Sequence, residues 1–409
     1  MAKEYKDLVV GLDIGTAKIM VVVAEVLAGG QLKLVGLGVS ASHGLKRGVV
    51  VNIDATVQSI QAALKEAELM ADCRIARVYT GITGSHIRGI NSSGMVATKD
   101  REVTAADVAR VIETAKAINI STDQRLLLVE PQEFVIDGQE VREPIGMSGI
   151  RLEAKIHIVT GAQSAAENII KCVRRCGLEV DQLMLNPLAS SQAVLTEDEK
   201  ELGVALVDIG AGTTDVAIFA GGAIRHTAVI PIAGDLITSD IAMALRTPTK
   251  DAEDIKVESG YAKQLLADPN QQVEVPGLGD RAPRMLSRQA LAGVIEPRVE
   301  EIFALVQQVI RDSGFEEVLS SGIVLTGGSA VMPGMVELGE DIFLKPVRRG
   351  IPKYASALSD MVAQTRAATV MGLIEEARLA RVRGNKVAQK AGAMQGVMEQ
   401  LKNWFVGTF

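Results

Sequence analysis

Aromatic residues are scarce in this 409-residue chain, at 3% with a single Trp, and histidine (four) and cysteine (three) are scarcer still. So few aromatics leave no row of stacking platforms for bases, and a net charge of −7 disfavours neutralising a run of phosphates; nucleic acid is excluded as a partner. His43, His86, His157 and His226 are dispersed, and none lies near Cys73, Cys172 or Cys176 at a metal-ligand spacing, so no zinc site is assigned. Three cysteines and the lack of a secretory pattern at the start point to a reducing cytoplasm. Long apolar runs are lacking too: the longest, around Ile19 to Ala28, is about half of what a bilayer-spanning helix requires, and nothing is expected to cross a membrane.

What remains is a globular composition, 47% hydrophobic and 23% charged, at a length that calls for two or more separate cores. The charge is uneven. From Arg378 to Phe409, six cations (Arg378, Arg381, Arg383, Lys386, Lys390, Lys402) face one acid (Glu399), giving +5 on the tail and leaving −12 on the body.

The stretch LVVGLDIGTAKIMVVVAEV (Leu8 to Val26) reads as two β-branched strands joined by a tight glycine turn, with a third strand at Gln31 to Val39. Gly203 to Gly234 repeats the plan, Gly11-Leu12-Asp13-Ile14-Gly15 matching Leu206-Val207-Asp208-Ile209-Gly210. Two homologous halves explain this most simply. A helix at Ala55 to Ala71, a strand at Arg77 to Ile82, a helix at Ser164 to Cys176 and a strand at Asp181 to Leu185 complete the first half. Gly84 to Thr160 interrupts it with three strands of its own and the helix Ala105 to Ile118; Asp235 to Ile302 interrupts the second half, before SGIVLTGGSA returns as a buried strand with a glycine turn.

Three strand-to-glycine turns, LDIGTAK, VDIGAGTTD and VLTGGSA, are thus expected at corresponding strand ends. Glycine lets backbone N–H groups approach a phosphate closely. Asp13 and Asp208 suit a magnesium ion held through water, Gly15, Gly210 and Gly212 the close approach, Thr16, Thr213 and Thr214 hydroxyl donation to phosphate oxygens, and Lys18 the charge of the terminal phosphates. One such turn alone marks an ordinary hairpin, whereas three in this order suit two opposed hairpins clamping a nucleotide.

The three turns resemble the actin, Hsp70 and hexokinase superfamily, and within it the chain resembles the bacterial cell-division FtsA family over nearly its whole length. AELMADC (67–73), CGLEVDQL (176–183), ASSQAVLTEDE (189–199), GVIEPR (293–298) and IVLTGG carry the likeness beside the first hairpin. The resemblance implies a duplicated actin-like (ribonuclease-H-like) α/β fold that binds ATP with Mg2+. Its first core unit is expected at 1–83 plus 162–196, its first insert at 84–161, its second core unit at 197–233 plus 303–380 and its second insert at 234–302. It further implies Gly327, Gly328 and Ser329 at the adenine and ribose, Gly234 beside the nucleotide, and Glu258 with Lys263 on a helix of the second insert. Thr16 is followed by Ala17 rather than by the second threonine of Hsp70-type loops, and no residue stands out as a water-activating base; hydrolysis is expected to be slow at most.

The chain ends with an expected flexible linker at 381–393 and a helix at 394–409, on which Val397, Met398, Leu401, Trp404, Phe405 and Phe409 share one face. An amphipathic terminal helix behind a basic linker suits an anionic lipid surface. Six half-buried apolar side chains contribute on the order of 6 kcal/mol before ordering costs, marginal for one anchor and sufficient when a polymer presents many. By resemblance the protein is a division scaffold that polymerises on the cytoplasmic side of the inner membrane at the division site. It would tether filaments of FtsZ, whose C-terminal tail is expected on the second insert near Arg284, Arg288 and Arg298, with the first insert facing other filament subunits or later division proteins. The alternatives on the same fold are a pilus-assembly scaffold, which would lack the terminal helix, and a kinase or chaperone ATPase, for which neither a substrate-side carboxylate nor a peptide-binding domain is visible.

Overall fold

The structure, a computed structural model, describes residues 7–279, 281–353 and 362–390. The first hairpin forms as β1 (Leu8–Ile14) and β2 (Lys18–Val26), followed by β3 (Leu32–Ala41), the small pair β4 (Leu45–Lys46) and β5 (Val49–Val50), and α1 (Ile53–Ala71). The Asn52 side chain caps α1 by accepting from the Ala55 N–H at 3.1 Å. Next come β6 (Arg77–Ile82), then β7 (Arg88–Ala97), α2 (Ala105–Ala115), β8 (Gln124–Ile136), β9 (Gln139–Val141) and β10 (Arg151–Ala162), then α3 (Gln163–Arg175), β11 (Glu179–Leu185), α4 (Asn186–Val194) and α5 (Glu197–Leu202).

The second half repeats the hairpin in β12 (Val204–Ile209), β13 (Thr214–Ala220) and β14 (Ala223–Ile230). It continues through α6 (Gly234–Leu245), α7 (Thr249–Ser259), β15 (Gln272–Val275), β16 (Arg284–Ser287), α8 (Arg288–Ser313), β17 (Ile323–Thr326), α9 (Met335–Phe343), β18 (Val347–Arg349) and α10 (Ala368–Lys390).

The two main sheets have one plan. The first runs β3-β2-β1-β6-β11 and the second β14-β13-β12-β17-β18, each with an antiparallel three-strand meander followed by two parallel strands. Their central strands, β1 and β12, are apolar apart from Asp13 and Asp208 near their C-terminal ends, because both faces are covered. Val10, Leu12 and Ile14 pack toward α1 and α3, whereas Val9, Met20 and Val22 pack toward α10. Each lobe therefore presents its strand-to-glycine turn at the same sheet end.

Three boundaries differ from the expected ones. The final helix does not belong to the second core: Val370, Met371, Ile374 and Ala377 of α10 bury against β1, β2 and β3 of the first sheet. Gly372 permits α10 to cross α4 closely, since a Cβ there would lie 1.7 Å from the Ala189 carbonyl oxygen. The expected linker at 381–393 is helical through Lys390, because Ala, Arg, Lys and Gln propagate a helix already nucleated by packing on the sheet. The division at 302/303 falls inside α8, one helix of 26 residues that runs from the second insert into the second core with Pro297 in its interior. The expected terminal helix at 394–409 lies outside the described residues. Among the described residues, no helix is long and apolar enough to cross a membrane.

The first insert builds its own sheet, β7-β10-β8-β9, covered by α2. Its other face docks on β14 of the second lobe. Gln132 Nε2 donates to the Ile224 carbonyl at 2.8 Å, Asn91 Nδ2 donates to the Arg225 carbonyl at 3.0 Å, and Arg225 pairs with Glu133 at 3.3 Å. Between them His157, fully buried, lies 2.6 Å from Asn91 Oδ1 and 2.9 Å from Thr227 Oγ1. Asn91 Oδ1 is an acceptor, so His157 carries its proton on Nδ1 and Nε2 accepts from Thr227. The insert is thus attached by chain to one lobe and by side chains to the other.

Candidate functional site

Both hairpin turns close with the same hydrogen bond: Gly15 N–H donates to the Lys18 carbonyl at 3.0 Å, and Gly210 N–H to the Thr213 carbonyl at 2.9 Å. The turns meet across the gap between the lobes. A Cβ on Gly212 would stand 2.6 Å from Thr16 Oγ1 and 2.8 Å from Arg47 Cα, an approach that no larger residue tolerates. The third turn locks onto the second, Ser329 Oγ donating to the Gly210 carbonyl at 2.9 Å. Gly327 adopts φ +90°, and a Cβ there would strike Asp208 Oδ1 at 2.4 Å.

These turns enclose a cavity of about 400 Å³. Of the residues expected at a nucleotide, Asp13, Gly15, Thr16, Lys18, Asp208, Gly210, Gly212, Thr213, Gly327, Gly328 and Ser329 line it. Four do not. Thr214 is buried in β13, where its hydroxyl donates to the Ile232 carbonyl at 2.8 Å. Gly234 stands one layer back at the start of α6, its N–H donating to the Gly210 carbonyl at 3.1 Å. Glu258 is on the exposed side of α7, about 200° around the helix from Lys256, which with Glu253 and Val257 forms the wall instead. Lys263 is not on that helix, which ends at Ser259, and pairs with Asp341 at 2.5 Å.

The floor carries three buried carboxyl groups, Asp13, Asp208 and Asp215. Burial pushes Asp13 up to about 6, with Lys18 opposing and Asp208 adding to the shift. Burial also raises Asp208, against hydrogen bonds from the Ser190 hydroxyl at 2.5 Å and the Thr369 hydroxyl at 3.3 Å. Asp215 is pushed up to about 8 by burial and then by the charge of Asp208, while the Thr83 hydroxyl donates to it. Lys18 is lowered by burial, with Asp13 opposing and Arg366 adding, and its ammonium donates to the Arg366 carbonyl.

Sequence reasoning missed Thr83, Asn186, Asp215, Lys256 and Arg366, all of which line the cavity. Asp215 had a signal, since hairpin register sets it directly opposite Asp208. Thr83 follows the end of β6 and Asn186 that of β11, the end at which parallel sheets place ligands. Asn186 Oδ1 is buried with no hydrogen-bond partner among the described residues.

Opposed turns with exposed backbone and hydroxyl donors, a lysine at one end and an apolar wall of Val257, Val331, Met332 and Pro333 suit a phosphorylated ligand with a flat ring. Among the described residues no three His, Cys, Asp or Glu groups converge to chelate a metal. The acidic floor fits a hydrated divalent cation beside phosphates, held through water by Asp13 and Asp208.

Two family models match, "Cell division protein FtsA" over residues 205–372 and "SHS2 domain inserted in FTSA" over residues 84–160. The chain is 55% identical to the cell division protein FtsA of Pseudomonas aeruginosa over 98% of both chains. It is 44% identical to that of Escherichia coli K12 over 98% of this chain and 97% of the relative. Among solved structures, a PilM-PilN type IV pilus biogenesis complex superposes with a TM-score of 0.64 at 17% identity, covering 90% of this chain and 98% of that one. An MreB protein of Spiroplasma citri bound to ADP superposes with a TM-score of 0.57 at 14% identity, covering 96% and 100%. The fold is therefore actin-like, with an SHS2 domain inserted in its first half, and the chain belongs to the FtsA family of cell division proteins.

Proposed function

We propose that this protein is an ATP-binding scaffold of the division machinery that polymerises on the cytoplasmic face of the inner membrane and tethers FtsZ filaments to it. The observation that carries the reading is the meeting of the two hairpin turns: Thr16 of one lobe and Gly212 of the other face each other at a distance only glycine allows. A ligand bridging the turns holds both lobes at once, so its presence biases the shape a filament requires.

In this reading the turn N–H groups, Thr16 and Thr213 hold phosphate oxygens, and Lys18 offsets their charge. Val257 and Met332 face the ring, and Asp13 and Asp208 hold the water shell of Mg2+, which when bound supplies charge neutralisation. Asp215 with a pKa of about 8 is mostly protonated at neutral pH in the ligand-free protein. Only its minor ionised fraction can accept a proton from water, in keeping with slow hydrolysis.

The second insert exposes Leu265, Leu266 and Met285, apolar side chains suited to a peptide such as the FtsZ tail. The three arginines expected there are engaged internally. Arg284 donates to the Leu245 carbonyl at 2.5 Å, Arg288 donates to the Ser259 carbonyl at 2.9 Å and stacks on Tyr261, and Arg298 pairs with Asp240 at 2.6 Å. Arg284 ties β16 to the end of α6, and Arg288 and Arg298 tie α8 to α7 and α6; peptide affinity on this face is assigned to the exposed apolar groups. The pilus-assembly alternative is supported by fold alone. Later division partners and the anionic membrane surface, reached through 394–409, complete the proposal.

Co-sedimentation with anionic vesicles, using the full chain and a chain ending at Ala393 with and without ATP, tests it. The full chain alone should pellet, and more with ATP. Equal pelleting of both chains would remove the membrane role from the tail.

A further inference from the structure

Arg366 lies in a short turn, Thr365–Ala367, between the third glycine turn and α10. That turn is pinned from both sides: Gly327 N–H donates to the Thr365 carbonyl at 3.2 Å, and the Thr365 hydroxyl donates to the Gly327 carbonyl at 2.7 Å. Three residues on, Thr369 bonds to Asp208. The backbone that presents Arg366 to the cavity is therefore held by the same groups that form the cavity floor.

Two cationic residues share this end of the cavity. The Lys18 ammonium donates to the carbonyl of Arg366 itself, and both residues line the space between the turns. Like charges brought together cost free energy unless an anion lies between them. Lys18 has Asp13 close by, whereas Arg366 is exposed and makes no ion pair with any described residue. A planar guanidinium presents a fork of donors that matches two oxygens of one phosphate, which an ammonium cannot do. Asn186, with its buried and unpartnered amide oxygen, lines the same space and points independently to a ligand there.

We propose that Arg366 is a phosphate-binding residue that makes the site prefer a nucleoside triphosphate over the diphosphate, its guanidinium engaging the terminal phosphate beside Lys18. This rests on the nucleotide reading of the cleft and adds to it the residue that senses phosphate number. Charge-assisted bonds to the third phosphate are made by the triphosphate alone, so their loss falls on one ligand.

The test is equilibrium titration of the full-length protein with ATP and, separately, ADP, each with magnesium, for wild type, Arg366→Gln and Arg366→Lys. Arg366→Gln should weaken ATP on the order of tenfold while changing ADP by less than about threefold, and Arg366→Lys should fall between. Equal losses for both nucleotides, or no loss for either, overturn the assignment while leaving the cleft a nucleotide site. Wild type binding neither nucleotide overturns the cleft reading and this inference with it. The unfolding midpoint of Arg366→Gln without nucleotide should match wild type. If it does not, the ATP-to-ADP ratio of Arg366→Lys decides, a ratio reduced less than about twofold contradicting a bidentate role.

Discussion

The Thr83 hydroxyl, just past the end of β6 in the first lobe, donates a hydrogen bond to the Asp215 carboxyl group on β13 in the second. This contact spans the cleft at its floor, and it couples the protonation of one buried acid to the closure of the two halves. Asp208 is held in the same way, by Ser190 of α4 and Thr369 of α10, helices that pack together behind the first sheet.

Replacing Asp215 by Asn should stabilise the ligand-free protein. The folded pKa of about 8 lies above the ordinary 3.8, so folding binds a proton in this window and the group's destabilising contribution grows as pH rises from about 4 to about 8. Urea unfolding at several pH values should show Asp215→Asn ahead by a few kcal/mol at pH 8, with the gap narrowing toward pH 4. A constant gap would show that the acid is not desolvated. The same variant should lose whatever hydrolysis the wild type has.

His157 predicts the opposite slope. Burial and the neighbouring His226 lower it from 6.5 to about 4, so its neutral form supports the fold fully above pH 6.5. That support is lost as pH falls from about 6.5 to about 4, roughly 3 kcal/mol in all. In His157→Gln this part of the pH dependence should vanish. The protection of β14 and β7 amides, relative to the intrinsic exchange rate at each pH, should fall in wild type at pH 5 compared with pH 7, and unchanged protection would contradict the interlock.

Gly212→Ala should act on ligand affinity more than on stability. Its Cβ would press on Thr16 Oγ1 and Arg47 Cα, so the lobes must part by a few tenths of an ångström or more. ATP affinity should fall at least about tenfold, for a loss of about 1.4 kcal/mol or more, with the unfolding midpoint little changed. Unaltered affinity would mean that the turns do not grip one ligand together.

Gly372→Ala should destabilise by about 1–3 kcal/mol through overpacking, because the added Cβ runs into the Ala189 carbonyl where α10 crosses α4. Thermal unfolding measures it directly, and a neutral result would contradict the close crossing of α10 over α4.

The duplication and its glycine turns could be read from the sequence because β-branched runs ending in Asp-x-Gly impose a local geometry that tertiary packing need not supply. Finding that pattern twice pointed to two homologous halves, and the actin-like fold class came from the family resemblance that the turns carry. What the sequence hid was non-local. Asp215, Thr83 and Asn186 reach the cavity because three separate strands end at one level. α10 returns to the first sheet through long-range apolar contacts of Val370 and Ile374 that no local pattern records. Glu258 and Lys263 failed for a simpler reason, since helical rotation carries one away from the cavity and the helix ends before the other.

We infer that the two lobes clamp one nucleotide between their turns. This is tested most directly by titrating the full chain with ATP, with and without magnesium, alongside Asp13→Asn and Asp208→Asn. One ATP per chain is expected, with magnesium-dependent affinity in wild type and little dependence in either variant. No saturable binding, or the same magnesium dependence in all three proteins, would contradict it.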